Sequence, residues 1–411
     1  MSLICLVWGL RDLNRKRLID DTPTLKAMGV FIGLAELKGT AESENPLISH
    51  LTETRCVYYT YCIQEHWRRQ VTETYRDTDG NTKTRTRTES GWKRVAHGGE
   101  APSFYLKDET GVIKIDPEGA SVHGDNVLRE TITRRDPRYY GKGPRRSVRN
   151  SRHRRRLTET LIPIHSPIYV IGQANERKDI VAPLISYDEE EPLFVISTGG
   201  EKSVRRVYRN RFLQFFTLGL ILSLLPLFFL RGFTSRIFFS SIVFYLSATS
   251  FGYTIVVYNS LVSLRNRVDQ AWSLIDIQLK RREDLIPQLT EVVEGYQRYE
   301  ETTQENINKL RSQIDDQMTS EAITPILNTI ADNIPELKAR EQFIRLQHTL
   351  EETENRIALA RDYYNQITVF YNTRIEIIPG RYISKLAALK KRPLWRGESF
   401  KRAKDEPDLA I

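Results

Sequence analysis

Two long apolar stretches lie within residues 212–258, joined by Arg231-Gly232-Phe233-Thr234-Ser235-Arg236, and they limit what this chain can become. Phe212 to Leu230 carries no charge in 19 residues, and the run that begins at Ile237 meets its first charge at Arg265. Each is long enough to cross the roughly 30 Å hydrocarbon core of a bilayer as a helix. Both are apolar on every face, whereas two buried helices of a soluble protein would show apolar stripes. The pattern predicts an integral membrane protein with a two-span hairpin, 212–230 and 237–258. Lys202, Arg205, Arg206, Arg209 and Arg211 precede the hairpin and Arg265 and Arg267 follow it, against Arg231 and Arg236 in the loop. Flanking positive charge stays in the cytoplasm, so both large soluble parts are expected on that side.

Of the 411 residues, roughly 200 precede the hairpin and roughly 150 follow it, enough for a core in each part. The net charge of +9 suits domains held near an anionic leaflet, where each Lys or Arg adds about 1 kcal/mol of attraction. Nucleic acid is the competing partner class for such a charge. Cys5, Cys56 and Cys62 are too few for a disulfide framework, which fits a reducing compartment. The opening run MSLICLVWGL is too short for a span and has no charged region before it, so residues 1–29 do not read as a cleavable signal.

From 30 to 206 short runs rich in Val, Ile, Thr and Tyr are broken by Gly, Pro and Asp, the pattern of a β-rich domain. Strands are expected at 57–63, 111–115, 168–174 and 192–198, with a hairpin turn through Asp79-Gly80. Asp77, Asp79 and Asn81 do not make a calcium loop, because glycine falls at the fourth position and no glutamate stands at the twelfth. Between Arg129 and Arg156 twelve Lys or Arg residues face two acids, which reads as a basic loop. Three readings remain for it: a solvated charge run, contact with anionic head groups, or nucleic acid. Tyr139 and Tyr140 are a lone pair rather than the repeated stacking platform a nucleic acid needs.

After the second span, apolar residues recur at spacings of three and four from Leu261 through Leu264, Val268, Ala271, Ile275, Leu279 and Ile286 to Ile314. The second span is expected to continue into this helix, with a local bend at Pro287. A second stripe, Ile344, Leu350, Ile357, Tyr364, Ile367, Tyr371 and Ile375, ends before Pro379-Gly380. Two such helices predict an antiparallel bundle over 259–390, followed by a tail, 391–411.

The residues of this tract also resemble a known family. Tyr258-Asn259, Leu264-Arg265-Asn266-Arg267-Val268, Ala271-Trp272-Ser273, Gln278-Leu279-Lys280-Arg281-Arg282 and Asp284-Leu285-Ile286-Pro287 are similar to the first LemA family signature. Glu354-Asn355-Arg356-Ile357-Ala358, Tyr363-Tyr364-Asn365 and Tyr371-Asn372 resemble the second. The resemblance implies a membrane-anchored helical bundle, with no catalytic activity established for the group as a whole. LemA proteins typically begin with a single N-terminal span, whereas a hairpin and a whole domain come first here. That earlier domain resembles the membrane-adjacent domain of GIDE-type E3 ubiquitin ligases through Gly39-Thr40-Ala41, Pro46-Leu47-Ile48-Ser49, Cys56-Val57-Tyr58-Tyr59, Pro167-Ile168-Tyr169-Val170-Ile171-Gly172 and Pro192-Leu193-Phe194-Val195. In those ligases a separate RING module does the chemistry with eight Cys or His zinc ligands. This chain has three cysteines and no Cys-x-x-Cys pair.

No motif for catalysis, cofactor or metal emerges. Gly199-Gly200-Glu201-Lys202-Ser203 ends like a phosphate loop but lacks its spacing, and the seven histidines are scattered. The candidate surface for membrane or partner contact is Arg265, Arg267, Lys280, Arg281 and Arg282 near the span, with Arg152, Arg154, Arg155 and Arg156 in the basic loop. The bland reading of the first group is helix support from pairs such as Asp276 with Lys280. The fold class that follows is an α+β membrane protein: a β-rich domain, a two-span hairpin and a LemA-like antiparallel bundle. Its expected role is a membrane-anchored interaction scaffold, with anionic head groups and proteins as partners, self-association through the bundle as an option, and no nucleic acid. The rival class is a ubiquitin ligase.

Overall fold

The computed structural model describes residues 1–76, 82–177, 182–189, 193–224, 235–294 and 341–395. The chain divides into two units, Thr24–Val207 and Met1–Pro23 together with Tyr208–Ile411. The first is β-rich and the second helical.

In the β unit, β2 (Gly33–Glu42), β6 (Phe104–Lys107), β7 (Val112–Ile115), β12 (Pro183–Ser186) and β11 (Pro167–Glu176) pair in turn, and β11 pairs back to β2. The ring closes into a small barrel, which removes the exposed edges an open sheet would carry. Closure requires alternate residues to point inward, and Leu37, Leu106, Ile115, Val170 and Ile185 are buried accordingly. Strands β1 (Thr24–Leu25), β13 (Val195–Ser197) and β8 (Ser121–His123) extend this sheet. The strands expected at 111–115, 168–174 and 192–198 fall on β7, β11 and β13.

A second sheet runs β3 (Leu47–Ile48), β4 (Arg55–Arg76), β10 (Ser151–Pro163) and β9 (Asp125–Thr133), with β5 (Thr82–Glu100) on the other edge of β4. β4 and β5 pair as far as Arg76 opposite Thr82, and the turn expected at Asp79-Gly80 lies outside the described residues. Beyond Trp67, where β10 ends its pairing, the two strands continue as a largely exposed ribbon.

The basic segment is not a loop. Arg129 lies on β9, Arg138–Gly141 form a helical turn, α2, and Arg152, Arg154, Arg155 and Arg156 lie on β10. Arg155 points inward and is fully buried with Glu65. Its Nε and Nη2 each donate to Glu65 Oε2 at 3.1 Å, Nη2 donates to Pro144 O at 2.9 Å, and the guanidinium lies 3.9 Å from the Tyr139 ring centre. Tyr139, also fully buried, donates its hydroxyl to Glu65 Oε1 at 2.9 Å, and Ser151 Oγ donates to the same oxygen. Burial alone would raise the Glu65 carboxyl, but hydrogen bonds from Ser151, Tyr139 and Arg155 hold it below its usual value. Arg155 is therefore a core residue rather than a lipid contact. Arg156 is half-buried over Trp92, at 4.3 Å, and only Arg152 and Arg154 of the four are exposed.

The helical unit contains α1 (Ser2–Asp20), the later part of α3 (Gly200–Leu224), α4 (Ser235–Glu294), and two further helices, α5 (Glu341–Glu376) and α6 (Gly380–Leu386). Within the described residues, one helix region, Phe239–Gln288 of α4, is long and apolar enough to cross a membrane, and its apolar window is largely exposed. The first expected span begins in α3, and its continuation through residues 225–234 lies outside the described residues. α4 runs unbroken from the apolar stretch through Pro287, as expected of a span that continues into the bundle.

Leu261, Leu264, Val268, Ala271, Ile275 and Ile286 of α4 are buried, as are Leu350, Ile357, Tyr364, Ile367, Tyr371 and Ile375 of α5. Ile344 departs from the expected stripe and is half exposed, and the seam beyond 294 lies outside the described residues. The N-terminal run, too short to span, is instead the first half of α1 and packs along the apolar helices. Ser2 Oγ donates to Gly219 O at 2.9 Å, Trp8 meets Phe215, and Gly252 leaves room for Leu10, which any side chain there would strike.

The buried cluster sets a stability prediction. Arg155→Gln should cost about 3–5 kcal/mol by leaving Glu65 unpaired, while Arg152→Gln and Arg154→Gln should stay within about 0.5 kcal/mol. A depressed carboxyl stabilises fully above its unfolded value, about 4.3, and that contribution vanishes as pH falls through the folded value. Melts of the full chain in detergent from pH 7 to 3 should show Glu65→Gln much less stable at neutral pH and converging on the wild type in acid.

Candidate interaction site

The face of the bundle next to the apolar part of α4 is tied to the end of α1. Asp21 is buried, and its Oδ1 accepts from Arg374 Nε at 2.6 Å while Oδ2 accepts from Ser260 Oγ at 2.8 Å. Arg267 Nη1 donates to Thr22 Oγ1 at 2.8 Å. Three helices that are far apart in sequence thus meet at one carboxylate. A carboxylate this enclosed is tolerable only because both oxygens are hydrogen-bonded.

The sequence-predicted residues do not form one surface. Arg265 and Arg267 are half-buried, and Lys280 and Arg281 are exposed. Arg282 points into the bundle, 3.8 Å from Glu354, with the two side chains 7% and 9% exposed. It belongs to the helix interface, not to the outer face. Among the described residues its Nε and Nη1 and both Glu354 oxygens make no hydrogen bond, nor does Gln278 Oε1 beside them. Arg356 pairs within its own helix, with Glu352 at 2.8 Å.

Sequence reasoning missed the most organised surface. Tyr364-Asn365 and Tyr371-Asn372 repeat seven residues apart, so they lie on one face of α5 two turns from each other. The chain leaves α6 and returns across that face, so residues 391–395 pack on α5 and do not belong to the tail expected at 391–411. Asn365 Nδ2 donates to Trp395 O at 3.3 Å and its Oδ1 accepts the Trp395 amide at 2.8 Å. Asn372 Nδ2 donates to Arg392 O at 2.8 Å and its Oδ1 accepts the Arg392 amide at 2.9 Å. Tyr364 and Tyr371 donate their hydroxyls to Pro393 O at 2.8 Å and Lys390 O at 3.0 Å. The Trp395 ring lies 5.4 Å from Trp272 and 5.1 Å from the Arg361 guanidinium, and Trp272 meets Tyr364 edge-on at 5.5 Å. The repeated Tyr-Asn pair was the available signal, hidden because tyrosine also fits an apolar stripe.

None of these groups is arranged as a nucleophile with its base. The cysteines are free, and burial pushes the Cys56 thiol up to about 11, far from a thiolate at neutral pH. Burial also raises the Glu36 carboxyl in β2, which is held by the Thr24 and Tyr169 hydroxyls at 2.7 and 2.9 Å. Among the described residues no three His, Cys, Asp or Glu side chains gather as a metal site would require.

Residues 271–409 match the LemA family model, and residues 72–229 match the GIDE model, described as an E3 ubiquitin ligase. The chain joins a GIDE-type region to a LemA region. The LemA match opens at Ala271 on α4 and takes in α5, α6 and the returning segment, so both Tyr-Asn pairs fall inside it. The GIDE match opens on β4 and ends within the first apolar stretch. No curated protein matches the chain closely enough to serve as a relative.

The bundle geometry carries its own prediction. Ile357→Asp, at a fully buried position, should cost several kcal/mol. Asp21→Ala should cost about 1.5–3 kcal/mol, the worth of hydrogen bonds to a charged group. Thermal melting of the full chain in detergent checks both, and an unchanged melt for Asp21→Ala would remove it as the tie between helices.

Proposed function

We propose that this protein is a membrane-anchored interaction scaffold in which a LemA-type bundle and a GIDE-type β-rich domain, both on the cytoplasmic side of a two-span hairpin, hold protein partners close to the bilayer. The observation that carries the reading is the continuity of α4. One helix passes from a largely exposed apolar stretch into the buried seam of the bundle, so whatever binds the bundle is held at a fixed height above the membrane. Exposed Lys280 and Arg281, with Arg152 and Arg154 on β10, supply positive charge for anionic head groups or acidic partner surfaces.

The ligase reading is favoured by the GIDE match alone. The pattern of possible zinc ligands weighs against it: a RING takes eight Cys or His, largely in Cys-x-x-Cys pairs, and this sequence has three cysteines and no such pair. Roughly two zinc ions per purified chain would revive it.

Reporter fusions at Met1 and Ile411 should report the same, cytoplasmic, face, and opposite faces would sink the topology. Lys280→Gln with Arg281→Gln should leave thermal stability within about 0.5 kcal/mol yet reduce the set of proteins captured by proximity labelling. Capture unchanged in that variant would take these two residues out of the working surface.

A further inference from the structure

The segment that crosses α5 is held in an unusual way. Tyr364, Asn365, Tyr371 and Asn372 donate four hydrogen bonds to main-chain carbonyls of Lys390, Arg392, Pro393 and Trp395, and the two asparagines accept two more from the Arg392 and Trp395 amides. Two side-chain amides each take both the N–H and the C=O of one residue, as a neighbouring β-strand would. The spacing fits a ruler for extended chain. Seven residues of helix rise about 10.5 Å, and the three steps from Arg392 to Trp395 cover about 10 Å when extended. Contacts of this kind hold any sequence that is extended at these positions.

Among the described residues, the segment's side chains meet the helices at the Lys391–Glu376 ion pair and at three further places. The aromatic site is made by Trp272, Tyr364 and Arg361 around the Trp395 ring. Asp269 lies 3.0 Å from Arg392 and selects a basic residue three positions earlier. Beside Leu394, against α5, is a cavity of about 350 Å³ lined by Asn365, Gln366, Val369, Phe370, Leu394 and Trp395. Leu394 borders this space without filling it, and Val369 on its wall is half exposed. A larger apolar side chain at that position would bury more surface, at roughly 25 cal/mol per Å².

We propose that the α4–α5 groove is a docking site for an extended segment of a partner protein, carrying a basic residue, then proline, a large apolar residue and an aromatic one, and that residues 390–395 occupy it in cis until displaced. The inference rests on the reading of the bundle as a binding module and names its partner chemistry. Proline fits directly after the basic residue because only its carbonyl is used there, and proline has no N–H to leave unpaired. Tethering gives the cis segment an effective concentration of order millimolar, so a competing peptide gains access when the cis segment loses its anchor.

The experiment uses the full chain in nanodiscs and a fluorescent peptide, Lys-Lys-Arg-Pro-Leu-Trp, with a second peptide carrying Phe in place of Leu and a scrambled control. Trp395→Ala should bind the first peptide at least tenfold more tightly than the wild type does. The Phe peptide should bind more tightly still, and the scrambled one should not bind. Adding Asn372→Asp, which keeps the side chain's size but removes its donor, should reverse the gain at least tenfold with the melt preserved. Arg392→Ala supplies an independent loosened strap should Trp395→Ala fail to fold, and it should show the same direction of change. No peptide binding by either loosened variant, or binding indifferent to Asn372, overturns the groove. If proximity labelling still depends on an intact bundle in that case, the scaffold reading survives without it. A wild-type chain whose segment exchanges into a second copy, seen as a dimer that the Phe peptide does not dissolve, likewise overturns a partner-directed site.

Discussion

Helix α4 carries two different demands on one hydrogen-bond ladder, and the rest of the helical unit is arranged around the point where they change. Its early residues, among them Phe239, Val243, Phe244 and Phe251, are exposed and apolar. A helix satisfies every backbone group internally, which is what a hydrocarbon solvent requires. From Leu261 onward the same helix has a buried stripe on one side and charge on the other, the arrangement that water requires. Because the ladder does not break between them, bundle and apolar helix move as one piece.

Asp21 stands where the exposed apolar part of α4 gives way to the bundle. It draws Ser260 of α4 and Arg374 of α5 onto the end of α1, while Gly252 and Gly219 let the first half of α1 approach the apolar helices closely. Leu3, Ile4, Val7 and Trp8 remain exposed on the other side of α1. Those side chains share the exposed apolar character of early α4.

What was legible in the sequence followed local periodicity. The stripes of α4 and α5, the continuity of the apolar helix into the bundle and the principal strands could be seen because each is set by residues within a few turns or steps of one another. What was missed depends on partners far along the chain. Arg155 sits in a run of arginines and looks solvated, and only Glu65, 90 residues earlier, makes it a core residue. Arg282 is flanked by Arg281 and Glu283, and nothing local says that it alone turns toward Glu354. The N-terminal run fails the length test for a span, yet α3 and α4 cover it through glycines whose role appears only when the helices meet. The strap over Tyr364, Asn365, Tyr371 and Asn372 follows the same rule, since a polar pair at helical spacing looks like surface until an extended segment lies across it.

In the proposed topology α4 leaves the bilayer as an uninterrupted helix and becomes the first helix of the bundle. Spin labels placed singly along α4 from Phe239 to Ser273, in the full chain in liposomes, measure it directly through collision with oxygen and with a water-soluble nickel reagent. The account predicts oxygen access and exclusion of nickel up to about Tyr258, a change to nickel access on the exposed face near Asn266 and Ser273, and a helical period of 3.6 residues that persists across the change. Nickel access at Phe244, Phe251 and Ile255, or loss of the period between Tyr258 and Arg265, would contradict it.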